Sequence, residues 1–242
     1  MTSFFHLIIS EPLYNGLVFL MDLLPFFDAG VIIIIFTIIV KFIMLPLSIK
    51  ASKSQLEMKN AERDLALLKD KYGENKEELA KKQFEYYKEK GINPFAGIFI
   101  LIIQLPILIG LYRVFLKSGL PAINTTLLYS FVSAPVSVDM VFLHLINISQ
   151  KSVILAVIAG ITTYIQITLA SAPTTKGEKE VPQSDLQKAM SMQMKYFFPI
   201  LMTFIAYTIS SAVALYLITS NIFAIVQEMY IRKRYHKHTL VV

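Results

Sequence analysis

The 242-residue sequence contains no cysteine, which excludes disulfides, thiolate metal sites and a lipid-modified N-terminal Cys. Charge is scarce as well. Asp, Glu, Lys and Arg make up 17% of the chain, where a soluble domain averages about 25%. With 55% hydrophobic residues and a mean hydropathy of +0.58, the composition is that of an integral membrane protein. The four His residues (His6, His144, His236, His238) are scattered along the chain. No acid pair and no nucleophile with a nearby base falls inside an apolar run. No catalytic residue, cofactor or metal is therefore expected, and the chain reads as a non-enzyme. His236-x-His238 belongs to a solvated basic stretch rather than to a metal site. The N-terminus, MTSFFHLIISEPLYN, lacks a basic region and a small-x-small cleavage site, so no cleaved signal peptide is expected.

Against this background one stretch stands out, Gly30 to Leu47, GVIIIIFTIIVKFIMLPL. It places Lys41 deep in an apolar run. An intramembrane Lys costs about 2.5–3.5 kcal/mol at the centre of a helix on insertion scales, which makes it a functional hypothesis by default. Snorkelling of the stem toward Lys50 is the plainer alternative. Thr37, Lys41 and Ser48 fall on one face of a continuous helix, and that polar stripe favours a hydrated notch. The other polar groups inside apolar runs are Gln104, Gln166, Tyr216, Thr219, Ser220 and Asn221. None is an acid, which disfavours proton- or sodium-coupled transport. Hydrogen bonds between helices would account for any one of these uncharged groups.

Taken in order, residues 1–27 read as an extracytoplasmic amphipathic helix lying in the interface, and 28–49 as the first span. Pro46 is expected to kink or end it. Residues 50–91 change character, with 11 Lys/Arg and 9 Asp/Glu and a heptad seam at Met58, Ala61, Leu65, Leu68 and Tyr72. A weaker stripe holds Leu79, Gln83, Phe84 and Tyr87. This is a water-exposed helical hairpin, a self-packed pair that also suits docking. Gly73 and Gly91 are helix stops, and Asn93-Pro94 is a helix start. Residues 94–116 form the second span. Residues 117–151 are an extracytoplasmic loop with a short interfacial helix. Residues 152–172 form the third span, 173–191 a linker, and 192–231 the fourth and fifth spans, turning tightly near Ser210-Ser211. Residues 232–242 form a basic tail. The fold class expected is thus an all-α integral membrane protein with five transmembrane helices, a cytoplasmic helical hairpin and an N-terminal interfacial helix.

Orientation follows from positive charge. Nineteen of the 23 Lys and Arg lie in the hairpin, the linker region and the tail, against three (Arg113, Lys117, Lys151) on the other side. The positive-inside rule gives N-terminus out and C-terminus in. The tail residues Arg232, Lys233, Arg234 and Lys237 suit topology and anionic lipid, with ribosomal RNA phosphate as the only nucleic-acid contact to consider.

Several motifs, in order, resemble the YidC family of membrane protein insertases. They are EPLYN (Glu11 to Asn15), VKFIMLPLSIKASKS (Val40 to Ser54), KYGENKEELAKKQFEYYKEKGINPFAG (Lys71 to Gly97), QLPILIGLY (Gln104 to Tyr112), MKYFFPILMTF (Met194 to Phe204) and LYLITSNIFAIVQ (Leu215 to Gln227). The resemblance covers nearly the whole chain in its minimal five-span form, without a large periplasmic domain. It departs at Lys41, where the family carries a groove Arg, at Leu217 for a Trp, and at Ser210-Ser211 for Pro-x-Gly. It implies a multi-pass insertase and chaperone of a bacterial cytoplasmic (inner) membrane, with a hydrophilic groove open to the cytosol and the lipid. Lys41, Gln104, Gln166 and Tyr216 are the expected lining, with Thr37 and Ser48 on the Lys41 face.

The partners implied are the lipid bilayer and hydrophobic nascent membrane proteins. Met58, Leu65, Leu68, Tyr72 and Tyr87 on the hairpin would dock clients, the ribosome or the signal recognition machinery, and a Sec-type translocon is a further partner to consider. Met190, Met192 and Met194 offer adaptable apolar contacts near the groove or pack in the interior. A small transporter or channel, or a membrane scaffold, is the competing function, and a transporter would show internal repeats, which the sequence lacks.

Overall fold

Asp28 starts the first long apolar helix. Its carboxylate accepts the Val31 N–H at 2.9 Å, and the chain then runs as α2, Ala29–Ile43. Such a cap satisfies one of the donors a helix start leaves open. The computed structural model describes residues 6–93, 96–116, 122–171 and 192–239. Before α2 comes α1, Glu11–Leu23, with Pro12 in its first turn, where no N–H is missed. It is entered through one wide turn at His6–Ser10. After α2 come α3 (Leu45–Asn60), α4 (Glu62–Tyr72), α5 (Lys76–Lys90) and α6 (Ala96–Leu116). A loop with a two-stranded hairpin, β1 (Val141–Phe142) and β2 (Ile146–Asn147), leads to α7 (Val153–Ser171). A wide turn at Gln193–Phe197 opens α8 (Phe198–Ile209), and α9 runs over Ser211–Thr239.

The protein is a helical membrane protein. Two helices among the described residues are long and apolar enough to cross a bilayer, Val153–Ser171 and Ser211–Lys233. The pair α2 and α3 makes a third if taken as one broken span. That break departs from the sequence expectation. The pair bends by 66° at Met44, two residues ahead of Pro46. The ring of a proline crowds the carbonyl four residues earlier, here Phe42, and forbids the N–H that would bond it. The kink therefore settles just before the proline rather than at it.

The core lies where α9 packs along α7 and α2, with α8 against α7 and α1 against α2 and α6. On α7 the buried positions are Leu155, Ala156, Ala159, Gly160 and Thr163, and the last four form a small-residue stripe that brings neighbouring backbones close. The opposite face of α7, with Val153, Ile154 and Ile161, is exposed and apolar, as a lipid-facing surface is. On α1 the inward stripe is Leu13, Tyr14, Leu17, Val18 and Met21.

The charged region behaves as its caps dictate. Asn75 accepts the N–H groups of Glu77 and Glu78 at 3.2 and 3.3 Å and opens α5, whose last turn holds Lys88 and Lys90. Acidic start and basic end both favour the helix dipole. Gly91 sits at φ 65°, the left-handed stop that the sequence marks. Gly73 ends α4 without a left-handed turn. The seam from Met58 to Tyr72 is divided at Ala61 between α3 and α4. The short interfacial helix expected in the loop is one 3-10 turn, Thr125–Leu127, followed by the β-hairpin. Ser210 is extended and Ser211 starts α9, so the tight turn falls where two serines replace Pro-x-Gly. The linker 173–191, with Met190, lies outside the described residues.

Candidate functional site

Lys41 lies in the last turn of α2. Its Nζ donates to Gln104 Oε1 on α6 at 3.3 Å. An ammonium has no acceptor, so Gln104 must turn its carbonyl toward it and its NH₂ away. The NH₂ then donates to Tyr216 Oη at 2.8 Å and toward Ser220 Oγ at 3.4 Å. Tyr216 and Ser220 are four residues apart on α9, hence on one face, and both are buried. The result is a polar relay, Lys41 to Gln104 to Tyr216 and Ser220, tying three apolar helices. No ion pair joins Lys41 to a carboxylate among the described residues. One ammonium proton is engaged by Gln104.

The other members of the expected stripe lie elsewhere. Thr37 is buried and donates back to the Ile33 carbonyl at 2.7 Å, so its hydroxyl is spent within α2. Ser48 lies beyond the break, on α3, where it donates to Gln227 Oε1 of α9 at 2.8 Å. The shared face of Thr37, Lys41 and Ser48 is thus a correction: it needed a continuous helix, and the helix turns at Met44. Gln166 is half-buried on α7 and has no hydrogen bond to the relay. The polar tie between α7 and α9 is made instead by Asn221, whose Nδ2 donates to Thr163 Oγ1 at 2.8 Å and Thr162 Oγ1 at 3.1 Å. Ser220 and Asn221 are legible as polar groups in an apolar helix, but not their partners.

Along α3, α4 and α5 the expected docking residues divide. Leu65 is buried, which corrects its assignment to a docking surface, while Met58, Leu68, Tyr72 and Tyr87 are half-buried. The apolar side chains that do face outward are Leu67, which lies off the seam, and Phe84, which corrects its place on the weaker stripe. Tyr86 Oη donates to Asp64 at 2.6 Å. Burial, helped by that carboxylate, pushes the Tyr86 hydroxyl up to about 12. Met192 is exposed and Met194 half-buried.

The basic tail also differs from expectation, since α9 continues through it to Thr239. Arg232 Nε bonds Glu228 Oε1 at 2.8 Å, and its Nη2 reaches the Ala170 carbonyl at 3.3 Å. It is a tie between α9 and α7 rather than a free tail charge. Lys233 is exposed, and the side chains of Arg234 and Lys237 lie outside the described residues. Among the described residues no three His, Cys, Asp or Glu side chains gather as a metal site.

The family described as 60Kd inner membrane protein matches residues 20–238. The chain belongs to that family. Its relatives include the membrane protein insertase YidC of Fusobacterium nucleatum, 33% identical over 205 residues, 85% of this chain and 86% of that one. The membrane protein insertase YidC of Clostridium tetani is 31% identical over 215 residues, 89% of this chain and 86% of the relative. A third, from Francisella philomiragia, is 28% identical over 206 residues, but the match spans only 33% of that longer protein.

Proposed function

We propose that this chain is a membrane protein insertase of a bacterial inner membrane, without enzymatic activity, and that the Lys41 relay lines the groove through which client segments pass. Five spans carry it, with α6 and α8 completing the three noted above, the N-terminus outside and the C-terminus in the cytosol. The observation that supports the groove reading is the relay itself: a cation held by an amide carbonyl, with no carboxylate paired to it among the described residues. A client's short polar or acidic tail offers the missing negative charge. The attraction strengthens where the dielectric is low. Once the tail has crossed, the client's apolar segment partitions into lipid at about 25 cal/mol per Å² buried, so no nucleotide is needed. The helical hairpin of α4 and α5, on the cytosolic side, meets nascent chains, the ribosome, the targeting machinery or a Sec-type translocon. The exposed Leu67 and Phe84 give it apolar contacts there.

A charge-assisted hydrogen bond contributes about 1.5–3 kcal/mol net. Lys41→Ala should therefore slow insertion of an acidic-tailed client by roughly tenfold or more, while Lys41→Arg, which keeps the charge, stays close to the parent. Depletion and rescue with protease protection of a single-span client measures this. Full activity of Lys41→Ala would remove the client attraction from the mechanism.

A further inference from the structure

At the opposite end of the helices from α4 and α5, β1 and β2 are joined through Leu143, His144 and Leu145. The Leu145 N–H donates to the Phe142 carbonyl at 3.0 Å, and Leu143 and His144 have φ of 50° and 60°. Left-handed φ at two consecutive positions is a conformation that Gly and Asn normally take in turns. A leucine there is strained, and strain of this kind needs something to offset it. Burial of the turn's side chains does not supply it: Leu143 is 57% and Leu145 82% exposed.

The turn is nevertheless firmly seated. The Leu143 N–H donates to Asp28 Oδ2 at 3.2 Å, while the same carboxylate caps α2 through Val31. The Ala29 N–H donates to the Asp139 carbonyl at 2.7 Å. The Phe142 ring lies so close over Gly30 that any side chain there would collide with it. Directly before Asp28 stand Phe26, 94% exposed, and Phe27, also exposed. Two exposed leucines and two exposed phenylalanines thus flank the carboxylate that begins α2.

We infer that the Leu143–Leu145 turn and Phe26–Phe27 form an apolar foot that inserts into the headgroup–acyl boundary of the adjoining phospholipid leaflet. The level of the foot argues for lipid as its occupant. It surrounds the first turn of α2, and the exposed Val153 and Ile154 at the start of α7 carry the lipid-facing surface to the same end of the helices. Aromatic rings are favoured at this depth, and a rigid apolar cluster in water is not. The inference rests on α2 and α7 crossing a bilayer, as in the proposed function, and its test keeps the two apart.

The chain has no tryptophan, so each introduced Trp is the sole indole. Leu145→Trp, Phe26→Trp and, in the middle of α7, Ile161→Trp are reconstituted singly, in the full chain, in phosphatidylcholine–phosphatidylglycerol vesicles. Quenching is read with lipids brominated high or deep in the acyl chain and with iodide on both faces. The foot predicts quenching by the shallow bromolipid at residues 145 and 26, protection from iodide there, and deep quenching at 161. Free iodide quenching at 145 and 26, with deep bromolipid quenching retained at 161, overturns the foot and keeps the spans. Loss of bromolipid quenching at 161 overturns both. Should Leu145→Trp lose its helicity by circular dichroism, Phe26→Trp carries the test alone.

Discussion

The two ends of the helix bundle are held together by different chemistry. At the loop end, side chains of the helices bond to the backbone of the loop. Asn15 Nδ2 donates to the Leu127 carbonyl at 2.9 Å and its Oδ1 accepts the Tyr129 N–H at 2.7 Å. Tyr14 Oη accepts the Asn124 N–H at 2.8 Å, and Ser211 Oγ donates to the Gln150 carbonyl at 2.6 Å. At the end nearer α4 and α5, the ties run mostly from one side chain to another: Lys41 to Gln104 at 3.3 Å and Ser48 to Gln227 at 2.8 Å. Here α2 breaks, and Phe42, Ile43 and Leu47 stand exposed. A backbone group that loses its partner cannot swing away to find another, whereas a freed side chain can. The loop end is therefore built to stay shut and the other end to rearrange at little cost. An insertase needs that asymmetry if clients enter from one side only.

The largest effect should come from the loop end. Asn15 is buried, and Asn15→Leu keeps the branched heavy-atom shape while stranding the Leu127 carbonyl and the Tyr129 N–H. An unsatisfied buried group costs about 1–3 kcal/mol, so a loss of about 2–3 kcal/mol is expected. Thermal unfolding in detergent micelles measures it. A loss below that for Ser48→Ala would reverse the contrast between the ends.

Gln104 sharpens the comparison from the other side. Gln104→Leu removes the carbonyl that holds Lys41 and the NH₂ that Tyr216 accepts, and should cost about 1 kcal/mol of stability. Insertion of an acidic-tailed client should fall by roughly fivefold, the factor that about 1 kcal/mol represents. Gln104→Glu gives the decisive sign. It places a carboxylate where the relay now has none, pairs with Lys41 and repels an acidic tail, so it should insert that client more slowly than Gln104→Leu. If Gln104 only packs, the near-isosteric Glu would be the milder change, and the order would invert.

How far the sequence discloses this depends on where each partner resides. Lys41, Gln104 and Tyr216 are visible as polar letters in apolar runs, and the relay does join them. Gln166 is visible on the same ground and stands apart, because periodicity places a residue on a face but not opposite a partner. The Met44 break was signalled by Pro46, and its exact consequence, Ser48 carried away from Lys41 toward Gln227, was not. The loop-end clamps were not legible at all. Asn15 and Tyr14 bond backbone groups more than a hundred residues away, and a backbone acceptor has no letter of its own. The stop at Gly91 was legible because one residue and its φ suffice for it.

The smallest effect is expected at Ser48. Its single hydroxyl proton is shared between Gln227 Oε1 and the Leu45 carbonyl of its own helix, at 3.0 Å, and it is only half-buried. In Ser48→Ala, Gln227 is free to turn toward water or another acceptor, so the net loss should stay near about 0.5 kcal/mol, the lower bound for an intramolecular hydrogen bond. The two helices it joins, α3 and α9, flank the Met44 break, and loosening them should leave insertion of a polar-tailed client at or above the parent rate in the same rescue assay. A stability loss comparable to that of Asn15→Leu would mean that this end is as firmly locked as the other. A sharp drop in insertion with stability intact would instead make the Ser48–Gln227 tie part of the client path.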